Sequence, residues 1–181
     1  SLPPDFAPDP SIDATPLPDA TAPSWKAPTS GGSTGRPKLI LAGTPSSIEP
    51  DTPSVFTEVG GTIVIPGPMY HNGPFVWSFE QLRTGGHVVL LPRFDPVETL
   101  RAVQDHGAET LYLVPTMMQR IWKLDPEVRD AFDLSSLTRI WHLAAPCPPW
   151  LKEEWIRWMG PERIVELYAG TEAQAATIIT G

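Results

Sequence analysis

The chain has 181 residues, 41% of them apolar, and carries 13 Lys+Arg against 21 Asp+Glu, a formal net charge of −8. That length suits one domain, or one and a piece, with enough apolar material for a packed core, while the acidic balance argues against a nucleic-acid binder, which needs a basic face. No apolar run approaches the roughly 18 residues of a membrane span, and the single Cys147 excludes an intrachain disulfide and Cys-x-x-Cys metal clusters.

The opening Ser1-Leu2-Pro3-Pro4-Asp5 has neither the basic nor the apolar part of a signal peptide, so a cytoplasmic protein is the expectation. Residues 1–28 hold eight prolines among Asp, Ala, Thr and Ser. Such a segment has few amide donors and little to bury, and reads as a linker or a strap on a neighbouring surface. Residues 29–181 read as one partial domain. Within it, residues 38–41 and 62–65 are expected to be short strands. A helix follows over 74–83, ended by Gly85-Gly86, and residues 87–91 form an apolar, β-branched strand read as buried.

The next helix is clearly marked. Asp95 stands at its N-cap, Pro96 at the first helical position and Glu98 three residues after the cap. Val97, Leu100 and Val103 give it an apolar face, and Gly107 ends it. Residues 111–114 make another strand, Met118, Ile121 and Trp122 suggest a helix, and residues 139–143 form a strand. Pro148-Pro149 opens a helix whose Leu151, Trp155 and Trp158 fall on one face, a core stripe, before Gly160. Residues 164–168 and 176–179 are the last strands. Repeated β-α-β order implies an α/β fold with a mostly parallel sheet and flanking helices.

The most informative stretch is Ser30-Gly31-Gly32-Ser33-Thr34-Gly35-Arg36-Pro37-Lys38. Its glycines allow close backbone approach and positive φ. Free amides and the hydroxyls of Ser30, Ser33 and Thr34 can donate to phosphate oxygens, with Arg36 and Lys38 adding charge. It is not a Walker A loop, because no Gly-Lys pair precedes Ser or Thr. A Gly/Ser stretch alone is commonly a linker, but the closing Gly-x-Pro-Lys leading into a strand favours the phosphate loop.

This stretch resembles the phosphate-loop signature of the acyl-adenylate-forming (AMP-binding) superfamily, which includes acyl-CoA synthetases, luciferases and peptide-synthetase adenylation domains. Further segments are similar in the family's order: Pro68-Met69-Tyr70-His71-Asn72-Gly73, Val114-Pro115-Thr116-Met117-Met118, Leu143-Ala144-Ala145-Pro146 and Tyr168-Ala169-Gly170-Thr171-Glu172, where Ala169 replaces the usual glycine. Residues 145–153 and 166–174 look like the bacterial branch that includes bile-acid CoA ligases.

The resemblance implies the following roles. Ser30, Gly31, Gly32, Ser33, Thr34, Gly35 and Lys38 hold the β- and γ-phosphates of ATP. Ala144, Ala145 and Pro146 turn beside the adenine and acyl pockets. Glu166, Leu167, Tyr168, Ala169 and Gly170 surround the base, with Tyr168 stacked on it. Thr171 binds the α-phosphate, Glu172 ligates Mg²⁺ and His71 faces the reacting carboxylate. The implied partners are a small carboxylic acid, ATP and coenzyme A. The acid attacks the α-phosphate to give acyl-AMP and pyrophosphate, and the thiol of coenzyme A then displaces AMP. A ribose-binding aspartate and a catalytic lysine belong downstream of the last motif, so this chain is expected to be a central piece of an acyl-CoA ligase that does not turn over alone. Two alternatives remain: an adenylation domain loading a carrier protein, and a non-catalytic nucleotide-binding α/β module with a proline-rich arm. Fatty, steroid side-chain and aryl acids are all open.

Other candidates read plainly. His87 and His106 are structural, and His142 is a satisfied core histidine near the pocket. Cys147 has no activating neighbour in Pro146-Cys147-Pro148 and is inert, and Lys152-Glu153-Glu154 is a solvated helix face.

Overall fold

The sheet comprises β1 (Thr62–Ile65), β2 (His87–Leu90), β3 (Thr110–Leu113), β4 (Arg139–Leu143), β5 (Ile164–Ala169) and β6 (Ala176–Thr180). The helices are α1 (Asn72–Arg83), α2 (Pro96–His106), α3 (Pro115–Trp122), α4 (Pro126–Arg129) and α5 (Pro149–Met159). The structure is a computed structural model that describes residues 7, 9–11, 13, 15, 16, 18–29, 35–49, 52–172 and 175–181. The strands lie in the order β2-β1-β3-β4-β5-β6. Neighbours from β2 to β5 pair in parallel, and β6 closes the row antiparallel to β5. The fold is thus the expected α/β type.

Strand order explains the layers. From β1 the chain steps outward through α1 to β2, then returns past β1 through α2 to β3. Crossovers of one hand in opposite directions put α1 and α2 on opposite faces. Side chains alternate accordingly. Val64, Leu111, Leu113, Ile140 and Ile164 pack with Leu100 and Val103 of α2, Met118 and Ile121 of α3, and Leu151 and Trp155 of α5. On the other face Ile63, Ile65, Tyr112, Trp141, Leu143, Val165 and Leu167 pack with Trp77 of α1. The direction reverses between β1 and β3, and open α/β sheets bind ligands outside the carboxyl ends of strands at such a switch.

Local chemistry sets the ends of α2 as expected. Asp95 Oδ1 accepts from the backbone N–H of Val97 and of Glu98, each at 3.0 Å, and Gly107 closes the helix in a left-handed conformation at φ 55°.

Three expectations are corrected, and one short helix is new. Residues 38–41 form no strand: only Leu39 makes a bridge, antiparallel to Thr29, because prolines on both stems remove ladder donors. Helix α1 starts at Asn72, two residues before Pro74, since a proline in the first turn costs no helical hydrogen bond. The short α4 was not foreseen; Asp125 caps it, accepting from Glu127 N at 3.0 Å. His87 does not begin a buried strand, for β2 is the sheet's edge and His87 is exposed.

Candidate functional site

Two cavities open at the carboxyl ends of the parallel strands. The larger, about 470 Å³, lies on the α1 face. Gly67 and Pro68 after β1 form one wall, and His71, Asn72 and Trp77 at the start of α1 form another. Tyr112, Val114 and Met117 form the floor, and Leu143, Ala144, Leu167, Ala169, Gly170 and Thr171 close it. The lining is mainly apolar and includes no Lys or Arg. Tyr112 fits because residue 73 is glycine: a Cβ there would stand 2.1 Å from the phenolic oxygen. Burial pushes the Tyr112 phenol well above its ordinary value, so it stays protonated.

The smaller cavity, about 360 Å³, lies on the α5 side and is lined by Ala144, Ala145, Pro146 and Cys147 after β4 and by residues 166–169 of β5. Ala144, Leu167 and Ala169 line both cavities. The side-chain alternation of β5 explains this: Leu167 points to the α1 face, whereas Glu166 and Tyr168 point to the other. Tyr168 is 80% exposed, a ring with a free face. Ala144 is the one described non-glycine residue with positive φ, at 72°, a conformation that costs an L-residue about 1–2 kcal/mol.

Behind Glu166 stands a polar group that breaks an expectation. His142 is fully buried, but neither ring nitrogen has a hydrogen-bond partner. Its Nε2 is 4.0 Å from Glu166 Oε2, too far for a hydrogen bond. Lys152 holds that same carboxylate oxygen at 2.9 Å, so this lysine is not simply part of a solvated face. Burial pushes the His142 pKa down; Glu166 opposes the shift and Lys152 adds to it. The ring is therefore a buried, neutral and unsatisfied imidazole. Cys147 is half-buried, burial pushes its thiol pKa up, and it agrees with the inert reading.

The segments on either side of the predicted phosphate loop are tied together by backbone hydrogen bonds, a short stem. Trp25 N donates to Thr44 O at 3.1 Å, Ala42 N to Lys26 O at 3.1 Å and Ile40 N to Pro28 O at 2.8 Å. Ser30, Gly31, Gly32, Ser33 and Thr34 lie outside the described residues. Gly35, Arg36 and Lys38 are exposed at the foot of the loop. The stem reaches the strand-end site, because Lys26, Ala27 and Pro28 share a third cavity with His71 and Asn72.

Of the predicted residues, His71, Ala144, Leu167, Ala169, Gly170 and Thr171 meet in the larger cavity, and Ala145, Pro146, Glu166 and Tyr168 join at the smaller. Lys38 and Glu172 line neither. Trp77 and Tyr112 were missed. They carry no motif, and only the packing of α1 on β3 makes them walls.

Among the described residues no group of three or more His, Cys, Asp or Glu side chains could hold a metal ion. Glu172 is a lone exposed carboxylate directly after Thr171. A carboxylate is a hard oxygen donor of the kind Mg²⁺ takes, and Mg²⁺ keeps most of its coordination for water and phosphate.

Sequence comparison decides the family. The AMP-binding enzyme family signature matches residues 13–181. The chain belongs to the AMP-binding enzyme family. It is 31% identical over 154 residues to the medium/long-chain-fatty-acid–CoA ligase FadD8 of Mycobacterium tuberculosis, covering 83% of this chain and 26% of that ligase. It is 32% identical over 121 residues to luciferin 4-monooxygenase of Luciola mingrelica, covering 67% of this chain and 22% of that enzyme. The chain thus spans about a quarter of the length of these relatives. The N-terminal domain of FACL13 from Mycobacterium tuberculosis shares the fold, with TM-score 0.70 at 16% identity over 85% of this chain and 39% of that one. The amide bond synthetase McbA of Marinactinospora thermotolerans is 29% identical with TM-score 0.59, over 67% of this chain and 24% of that one.

Proposed function

We propose that this AMP-binding chain contributes the nucleotide and acid sites of an ATP-dependent acid–CoA ligase. The observation that carries the reading is the pair of cavities on opposite sheet faces that meet over Ala144, Leu167 and Ala169. One is apolar and sized for an organic acid; the other offers an exposed aromatic ring and a carboxylate suited to a base. Thr171 lines the acid cavity three residues after Tyr168, so a chain lying across the shared wall brings the α-phosphate and the acid together. The fatty-acid–CoA ligase relative supports the reaction class.

In this reading Tyr168 stacks on adenine, with Glu166 at the base edge and Ala144, Ala145 and Pro146 along its side. The hydroxyl of Thr171 holds an α-phosphate oxygen. Gly35 and Lys38, with the loop they end, receive the β- and γ-phosphates. His71 faces the acid carboxylate from the α1 side. A carboxylate is a poor nucleophile towards a polyanion, so these residues align the two groups and supply fixed donors where charge develops. Glu172 would hold Mg²⁺, which when bound supplies charge neutralisation at the phosphates. The second step transfers the acyl group from acyl-AMP to the thiol of coenzyme A, releasing AMP.

Acid-dependent exchange of labelled pyrophosphate into ATP by the intact protein tests the first step. The reading expects exchange that falls by at least about 100-fold in Thr171→Val and Glu172→Ala. Exchange unaffected by both substitutions would overturn it.

A further inference from the structure

The stem below the predicted phosphate loop carries a cation that forms no ion pair among the described residues. Lys26 is half-buried, and its Nζ donates to Asn72 Oδ1 at 2.7 Å and lies 4.9 Å from the Trp25 ring centroid. No described carboxylate forms an ion pair with it, although the chain holds 21 Asp+Glu. A desolvated charge is costly unless it meets a counter-charge, and burial alone is what lowers the Lys26 pKa. A neutral amide oxygen and an aromatic face compensate only part of that cost. The position is fixed, because Trp25 packs on Phe75 and Phe79 of α1 with centroids 5.9 Å and 4.9 Å away.

The ammonium borders a cavity of about 260 Å³ formed with Ala27, Pro28, Met69, Tyr70, His71 and Phe75. None of these is acidic. The cavity shares His71 and Asn72 with the larger apolar one, which has no Lys or Arg in its lining. We propose that Lys26, oriented by Asn72 and flanked by His71, is a docking site for a ligand oxyanion at the joint between the loop stem and the acid cavity. The shared chemistry is a carboxylate or phosphate oxygen. The carboxylate is the expected source, because the cavity beside Lys26 joins the larger apolar one through His71 and Asn72, so an acid with its apolar body there brings its carboxylate to Lys26. Lysine serves here as a point charge with donors left over after Asn72 is satisfied.

The inference rests on reading the larger cavity as the acid site, but binding needs no turnover, so its failure and that of the ligase reading are distinguishable. Nuclear magnetic resonance of the isotope-labelled chain follows the Asn72 side-chain amide and the Trp25 indole while hexanoate or inorganic pyrophosphate is added. The expected result is that hexanoate shifts both signals, that Lys26→Gln weakens its binding about tenfold and that Lys26→Arg keeps most of it. The same pattern with pyrophosphate instead keeps the site and assigns it to phosphate. Lys26→Gln that binds both probes as well as the parent, or a parent in which neither probe moves these signals, overturns the proposal. Unchanged signals elsewhere in the core separate a lost charge from a misfolded variant.

Discussion

The two faces of the sheet are built to different standards. On one, α2, α3 and α5 cover the central strands, and Val64, Leu100, Met118, Ile121, Ile140 and Trp155 are at most 1% exposed. On the other, α1 covers the strands with the help of residues around Phe56, whose carbonyl accepts from Trp141 Nε1 at 2.8 Å. Phe56, Trp77, Tyr112 and Trp141 form a ring cluster there, and the larger cavity opens where α1 begins. Aliphatic side chains interdigitate and fill the first face. The large, rigid rings of the second cannot fill every gap, and the gap beside them is the larger cavity. Close packing is concentrated on one face, and the larger of the two cavities lies on the other.

Removing Trp155 should have the largest effect on stability. Trp155→Ala is expected to cost about 3–5 kcal/mol in urea unfolding; a loss below about 1 kcal/mol would mean the densely covered face does not carry the fold. Gly73→Ala attacks the other face, where the new methyl must push Tyr112 into the larger cavity. It should cost about 1–3 kcal/mol and weaken binding of a small carboxylic acid; unchanged acid affinity would show that Tyr112 does not shape that volume.

His142 tests the boundary between the cavities through pH. Its folded pKa is lowered by burial from the ordinary 6.5, so below that value the unfolded chain binds the extra proton more readily than the folded one. The stability contribution is complete above about pH 7 and declines as pH falls through 6.5 towards the lowered folded value. His142→Leu should flatten this mildly acidic decline in thermal melts, and an identical decline in the variant would assign it to other groups. The smallest effect belongs to Ala144→Gly. Relief of the left-handed alanine offsets the extra entropy of glycine, so a net gain of less than about 1 kcal/mol is expected; a clear loss would mean the methyl packs in the shared wall.

Much of this organisation was legible locally. Asp95-Pro96 and Gly107 mark α2 because caps are short-range chemistry, and residues 139–143 match β4. The motif residues around 143–146 and 166–171 come together at the two cavities. What stayed hidden depends on neighbours distant in the chain. The exposure of His87 follows from β2 lying at the edge, and the pairing of Lys152 with Glu166 needs α5 to lie against β5. The unsatisfied state of His142 follows from the strand pairs around it rather than from residues beside it in sequence. Trp77 and Tyr112 become cavity walls only when α1 docks on β3. Lys26 sits in a proline-rich stretch that reads as a strap, and its charge gains meaning only beside Asn72 and His71.

The most direct test is a crystal structure with a non-hydrolysable acyl-adenylate. The expected map shows adenine on Tyr168 in the smaller cavity, the acyl chain between Trp77 and Tyr112 in the larger, and the phosphate at Thr171 across the wall they share. Both halves of the ligand on one face of the sheet, or adenine away from Tyr168, would contradict it.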